Sequence, residues 1–186
     1  VLLAVSSAGR TPAAATKEAA AAFEYAAGQA DKFGISLVEA AKGYGKLAAA
    51  AEGTQIAGKN TKVVFEALST AATVLRMDTD STNGMFKAFT DMMSKGKVSA
   101  EELRRQLGNH LPGAFNLAAK SMGITTGELD KMLKAGKLTT EEFIVKFSLA
   151  IRNKFGPALE FAANTVQANM HRMENSFFML KASIGE

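Results

Sequence analysis

Helix starts are written into this chain four times in the same chemical form. Ser36 stands three residues before Glu39, Ser99 before Glu102, Thr125 before Glu128 and Thr139 before Glu142. In such a capping box the hydroxyl accepts from an orphan N–H three residues on, and the carboxylate reaches back to the N–H of the capping residue. The first helical residue is thereby fixed, and losing a cap costs about 1 kcal/mol. Thr11 with Pro12 opens an Ala-rich segment in a related way, because proline at the first helical position needs no N–H. Gly34 then closes that helix, and further starts fall near Asn60, near Asp80, at Pro112 and at Pro157. Strand signals are scarce, since apolar and polar residues never alternate for long. The expected architecture is all-α: a compact multi-helix bundle of about nine helices built from helical hairpins and ending in a long C-terminal helix.

The stretch "MMSKGKVSAEELRRQLG" is echoed forty residues later by "MLKAGKLTTEEFIVKFS". Met92 answers Met132, Gly96 answers Gly136, Lys97 answers Lys137, and Glu101 with Glu102 answers Glu141 with Glu142. Before each glycine an apolar helix face recurs: Phe89, Met92 and Met93 in the first copy, Leu129, Met132 and Leu133 in the second. Gly96 and Gly136 suit the left-handed position that ends a helix. Beyond the turn, Leu103, Leu107, Leu111 and Phe115 match Phe143, Phe147, Ile151 and Phe155. The duplicated unit reads as a helical hairpin, with a fainter relative in "AGKNTKVVF" at residues 57–65. That is too few copies for a solenoid. The chain divides into an Ala-rich helical segment (1–34), a hairpin core with the internal repeat of 89–115 and 129–155 (35–156), and the C-terminal helix (157–186).

Composition removes several kinds of chemistry. There is no cysteine, so neither disulfides nor thiolate catalysis are available. The net charge of +4 comes from 22 basic and 18 acidic residues interleaved along the chain, a solvated surface rather than a nucleic-acid arm. No run approaches the roughly 18 apolar residues of a membrane span, so no membrane contact is expected of this segment. The opening "VLLAV" has no basic residues before it and reads as the end of a severed helix or strand in a piece of a longer protein.

Candidate sites for ligands are correspondingly thin. His110 and His171 are far apart, and neither has a second imidazole one helical turn away, so no metal site is expected. "DTDSTNG" alternates Asp78 and Asp80 like a calcium loop, but its glycine is one place late and its twelfth position is Phe89. A helix cap at Asp80 is the better reading. The neighbouring carboxylates Glu101 with Glu102 and Glu141 with Glu142 diverge by about 100° on a helix and do not converge on a substrate. Neither a catalytic residue nor a cofactor site is expected.

Protein contacts are the remaining chemistry. Leu159, Ala163, Val166, Met170, Met173, Phe177, Leu180 and Ile184 recur at steps of four and three, the seam of a coiled coil on one continuous helix. Such a seam either packs on the domain's own core or joins a second copy of the chain. Asn164, Phe178 and Met179 supply no charges to specify a register. Arg104 and Arg105 form a second candidate contact, their ordinary reading being surface ion pairs, with Glu101 four residues before Arg105. A rival reading comes from "LAAKSMGITTGELDKML", where Ala119, Gly123, Leu129 and Met132 have a helix-turn-helix rhythm. It implies a nucleic-acid-binding module, yet a recognition helix there would bring Glu128 and Asp130 to the phosphates.

The segments "KGKVSAEELRRQLGNHLPGA" and "MGITTGELDKMLKAGKL", with "ADKFGISLVEAAKGYGKLAAAAEGT" before them and "IRNKFGPALEFAANTVQANMHRMENSFFMLKASIGE" after, resemble the tape measure domain of tailed-phage and prophage tail length tape measure proteins. The likeness covers residues 22–186, with departures at Asn109 and Pro157. The resemblance implies a structural role in tail assembly. In that family the protein sets tail length while tail tube subunits polymerise around it with the help of assembly chaperones. It also implies a place in the virion tail and, during assembly, the host cytoplasm. The implied partners are tail tube protein and tail assembly chaperones, with no small-molecule substrate.

Overall fold

The computed structural model describes residues 12–184, with side chains from 16 to 183. The Thr11 cap and "VLLAV" lie outside the described residues. Helices account for the architecture: α1 (Pro12–Phe33), α2 (Leu37–Ala51), α3 (Lys59–Val74), α4 (Thr79–Lys95), α5 (Ala114–Ser121), α6 (Thr126–Lys134), α7 (Thr140–Phe155), α8 (Leu159–Ala162) and α9 (Val166–Ile184). A π-helical turn (Glu101–Gln106) precedes α5 and a 3₁₀ turn (Gly156–Ala158) precedes α8. No strand forms among the described residues.

The axis of the bundle is α3, which buries Val64, Phe65, Leu68, Ala71 and Ala72 together with Thr61, Ser69, Thr70 and Thr73. Its second half is buried nearly all round, and the threonines there find partners in the fold, although Ser69 Oγ has none. Thr70 donates to the Glu66 carbonyl at 2.7 Å, and Thr73 donates to Ser69 O at 2.9 Å and Phe33 O at 3.0 Å. Around this axis, Tyr25, Tyr44, Phe65 and Phe86 meet in sequence in tilted and edge-on contacts with ring centroids 4.8, 5.4 and 5.5 Å apart, which joins α1 through α4. Phe89 of α4 stacks on Phe147 of α7 at 5.7 Å, continuing the same core.

The duplicated turns sit against each other. Gly96 and Gly136 both take left-handed φ, +69° and +63°, ending α4 and α6. The residues that follow then pair: Val98 N–H donates to Leu138 O at 3.0 Å, Thr140 N–H to Gly96 O at 3.1 Å, and the Thr140 hydroxyl to Met92 O at 2.7 Å. Val98 and Leu138 are buried at this junction. Repetition thus gives two like turns that close on one another.

Their second arms differ. In the second copy α7 runs unbroken, whereas the first copy makes the π-helical turn, loses helical order from Leu107 to Gly113, and resumes only as α5. The two copies are thus unequal, and the helix start expected at Pro112 is corrected, since α5 begins at Ala114 after a left-handed Gly113 (φ +77°). Pro112 has no N–H and its ring opposes a continuing helix. Gly108 also sits where a Cβ would lie 2.1 Å from the Arg104 carbonyl oxygen.

The caps are unequal. Thr125 and Glu128 make the full reciprocal box, Glu128 N–H to Thr125 Oγ1 at 3.2 Å and Thr125 N–H to Glu128 Oε2 at 2.8 Å. Ser99 and Glu102 make it at 3.1 and 3.4 Å, with the buried Glu102 carboxylate also bonded to Lys95 Nζ and the Ser99 hydroxyl. Thr139 accepts from Glu142 N–H at 3.4 Å. Ser36 makes no side-chain cap bond, contrary to the sequence reading, and Glu39 pairs with Lys42 at 3.3 Å instead. At α4 the cap is Asp78, which accepts from Ser81 N–H at 2.7 Å, rather than Asp80. That backbone bond holds the Asp78 carboxyl below its ordinary range, as the Thr125 N–H does for Glu128.

Two further departures concern the C-terminal part. The continuous helix expected from Pro157 is interrupted at Ala163–Thr165. Asn164 Nδ2 bonds back to Glu160 O at 2.9 Å, and Thr165 Oγ1 accepts from Ala168 N–H at 3.3 Å, which caps a new helix. At the end of α3, Arg76 occupies the left-handed region with φ +50°, the one non-glycine residue to do so among the described residues. For an L side chain this costs on the order of 1–2 kcal/mol.

Thr125→Ala is expected to lower the unfolding free energy by about 1 kcal/mol in urea titrations, whereas Ser36→Ala should change it by less than about 0.5 kcal/mol. Equal losses would contradict the difference between the two caps.

Candidate interaction surface

Helix α9 is attached by its small and polar side. At about 100° per residue, Ala168, Arg172 and Asn175 share one face. Ala168 lies on Gly34, where a Cβ would approach to 2.4 Å, and Gly34 itself is left-handed (φ +62°), so only glycine fits. Arg172 Nε donates to Asp31 O at 2.9 Å near the end of α1, and its Nη1 donates to Ala163 O at 2.8 Å just after α8. A guanidinium placed on helix C-terminal carbonyls also meets the negative end of the helix dipole. Asn175 is bidentate: its Oδ1 accepts from Leu37 N–H at 2.8 Å and its Nδ2 donates to Ile35 O at 2.9 Å. A free N–H of the first turn of α2, that of Leu37, is therefore satisfied from a helix far along the chain.

The opposite side of α9 is apolar and faces solvent. Val166 is 78% exposed, Met170 53%, Met173 56%, Phe177 58% and Leu180 54%. These are the seam residues of the sequence reading, and they do not pack on the domain's own core. Ile184 ends the same stripe, with its side chain outside the described residues. Upstream the stripe is broken, because Ala163 is buried and Leu159 sits before the interruption. Phe161 of α8, 79% exposed, stands beside its beginning. Isolated exposed apolar residues are common on protein surfaces, but these form a continuous stripe along one helix face.

The arginine pair separates. Arg104 Nη2 bonds Asp130 Oδ1 at 3.0 Å and its guanidinium covers the Phe115 ring at 3.6 Å, tying the π-helical turn to α5 and α6. Arg105 remains exposed, 3.8 Å from Glu101. On α6, Glu128 is held in its capping box, and Asp130 is shared between Arg104 and Lys134, the latter at 2.7 Å. The helix that would read DNA thus opens with carboxylates. Among the described residues no three His, Cys, Asp or Glu side chains are grouped to hold a metal ion, and no helix is long and apolar enough to cross a membrane.

The family model described as tape measure protein matches residues 9–186. The chain belongs to the tape measure protein family. A curated relative, the probable tape measure protein of Salmonella phage Felix O1 (isolate Felix O1-VT1), is 36% identical over 124 residues. That match covers 67% of this chain and 17% of the relative, so the chain spans under a fifth of the relative's length. No solved structure matches.

Within this tape measure segment, the residues that hold α9 were not among those the sequence singled out. Ala168, Arg172 and Asn175 do follow helical spacing, but an Ala, an Arg and an Asn give no hydrophobic signal. Asn175→Ala should speed amide hydrogen exchange at Leu37 and along α9 by about tenfold, the loss of roughly one hydrogen bond, while α3 amides stay protected. Unchanged exchange at Leu37 would show that α9 is held by other contacts.

Proposed function

We propose that this segment is a non-catalytic structural domain of a phage tail tape measure protein, acting in tail assembly and tail length determination through protein–protein contacts made by the apolar face of α9. Membership of the family supports the role, and the exposed stripe from Val166 to Leu180 supports the means. The hairpin core around α3 serves as a scaffold, and the C-terminal segment serves as the contact. Tail tube protein, tail assembly chaperones or a second copy of the chain are the proposed occupants of that face. The proposed setting is the virion tail, and the host cytoplasm while tails are built. Arg105, left exposed by the clamp on Arg104, is a proposed secondary contact.

Magnitudes favour repeated contacts over a single tight one. Five large apolar side chains, each half exposed or more, offer on the order of 5 kcal/mol of burial. Association itself costs about 4–15 kcal/mol in lost freedom. One seam alone therefore binds weakly, and a durable assembly needs several such contacts in register.

Met173→Asp combined with Phe177→Asp tests the reading. Both positions are exposed, so Tm should move by no more than about 2–4 °C. In phage carrying the double substitution in the full-length protein, electron microscopy should show tails missing or of irregular length. Normal tails in normal number would overturn the assignment of this face, and an unchanged solution mass of the isolated domain would exclude a second copy as its occupant.

A further inference from the structure

Helices α5 and α7 carry a second surface, to which α9 contributes no residue. The two helices pack through Ala114, Ala118 and Ala119 of α5, and α7 buries Phe147, Ser148 and Ile151. Between their outer faces lies a solvent-open groove with a volume of about 710 Å³. Leu117 and Ala150, both half-buried, make its apolar floor, and Asn116, Lys120, Asn153 and Lys154 line it as exposed side chains. At about 100° per residue, Lys120 falls about 60° from Leu117 and Lys154 about 40° from Ala150, so each helix sets one lysine beside the floor. Lys154 leans towards α5, its Nζ being 3.8 Å from the place that a Cβ on Gly113 would occupy.

The charge of this groove has one sign. No aspartate or glutamate lines it. Elsewhere on the surface a basic side chain is matched within its own helix or turn: Lys42 by Glu39, Lys87 by Asp91, Arg105 by Glu101 and Lys134 by Asp130. Lys120 and Lys154 have no acid three or four residues away on either side. Among the described residues no carboxylate from another element forms an ion pair with either of them. Two cations from different helices thus flank one apolar strip, and the fold supplies them no counter-charge.

We propose that the α5–α7 groove receives an acidic amphipathic helix of a partner protein, with its apolar stripe on Leu117 and Ala150 and its carboxylates against Lys120 and Lys154. A trough between two packed helices suits a third helix, whose ridge of side chains enters it. The floor supplies burial, and the lysines supply complementarity of sign, which speeds encounter and fixes which helix faces are accepted. Asn116 and Asn153 each offer a donor and an acceptor to polar groups at the edge of that helix. Nucleic acid is the other polyanion to weigh, but no aromatic ring and no arginine lines the groove to stack on bases, and an apolar floor has no use against phosphates. This surface is separate from the α9 face, so its partner contact stands or falls independently of that one.

The test uses three helical peptides, acetylated and amidated, that share one leucine and alanine stripe and carry glutamate, glutamine or lysine at the flanking positions. Their binding to the chain is measured by fluorescence anisotropy at low salt, with a labelled DNA duplex as a fourth probe. The glutamate peptide should bind about tenfold tighter than the glutamine peptide, the scale of two surface ion pairs, and the lysine peptide weakest. The preference should shrink as salt is raised. Lys120→Glu combined with Lys154→Glu should hand the preference to the lysine peptide, while Tm moves by no more than about 2 °C because both positions are exposed. In nuclear magnetic resonance spectra the side-chain amides of Asn116 and Asn153 should shift on addition of the glutamate peptide. Met173→Asp with Phe177→Asp should leave this binding unchanged. Equal binding of the three peptides, or none by any, overturns the proposal, and so does a preference for glutamate that survives the double lysine substitution. Tighter binding of the duplex that is lost in the same variant would assign the groove to nucleic acid instead. Loss of peptide binding in the α9 variant would place the peptide on α9 and equally overturn the groove.

Discussion

A chain made of many short helices is a chain of helix ends, and each end leaves backbone groups that the helix cannot satisfy. How those groups find partners decides the structure here. Some ends are closed locally, by Thr125 with Glu128 or by Asp78 with Ser81. Others are closed only by tertiary contact, so satisfying the backbone and assembling the fold become the same event. The paired turns of the repeat show this, since Val98 N–H and Thr140 N–H find carbonyls in the other copy. A single copy would leave those amides to water, which gives the duplication a physical reason beyond filling the core.

The attachment of α9 follows from the same constraint. Arg172 serves carbonyls near the ends of α1 and α8, and Asn175 serves both sides of the turn between α1 and α2. Because helix ends recruit polar side chains, the face of α9 that holds the domain is polar, and the apolar face is left turned outward. In an ordinary amphipathic helix burial of the apolar stripe supplies most of the stability. For α9 the polar bonds supply the docking, and the hydrophobic free energy remains available to a partner. What holds α9 on the domain is thus separate from what its outer face exposes.

The legible part of the fold was the part governed by neighbours in sequence. Gly96, Gly136, Thr125 and the apolar i, i+4 rows of α4 and α7 all act within one or two turns, and the helical class with its long final helix follows from them. Ser36 was misjudged because its motif is complete in sequence, while the first turn of α2 is closed instead by Asn175, 138 residues from Leu37, and Glu39 pairs with Lys42. Nor could periodicity foresee the first copy's broken second arm: the leucine spacing through Leu103, Leu107 and Leu111 is helical, and Gly108 with Pro112 and Gly113 overrides it. For the surface, the seam residues of α9 were visible as a pattern, but a pattern cannot say which way a helix is turned. That orientation is set by Gly34, which admits Ala168 only because it has no side chain.

Departures from local rules are informative when they gather. Arg76 holds a conformation suited to glycine, Phe161 and Val166 expose large apolar side chains, and the chain interrupts a helix at Ala163–Thr165. Each by itself would be a minor cost. All three border one groove, at the point where the hairpin core hands over to α9. Sequences that fold well keep local preference and global structure in agreement, and conflict persists where something other than folding maintains it. Arg76, Phe161 and Val166 are all solvent-facing, so none of these costs lies in the core. The interruption before α9 belongs with them, because it gives that helix its own N-terminus, capped by Thr165, in place of an unbroken helix from Pro157.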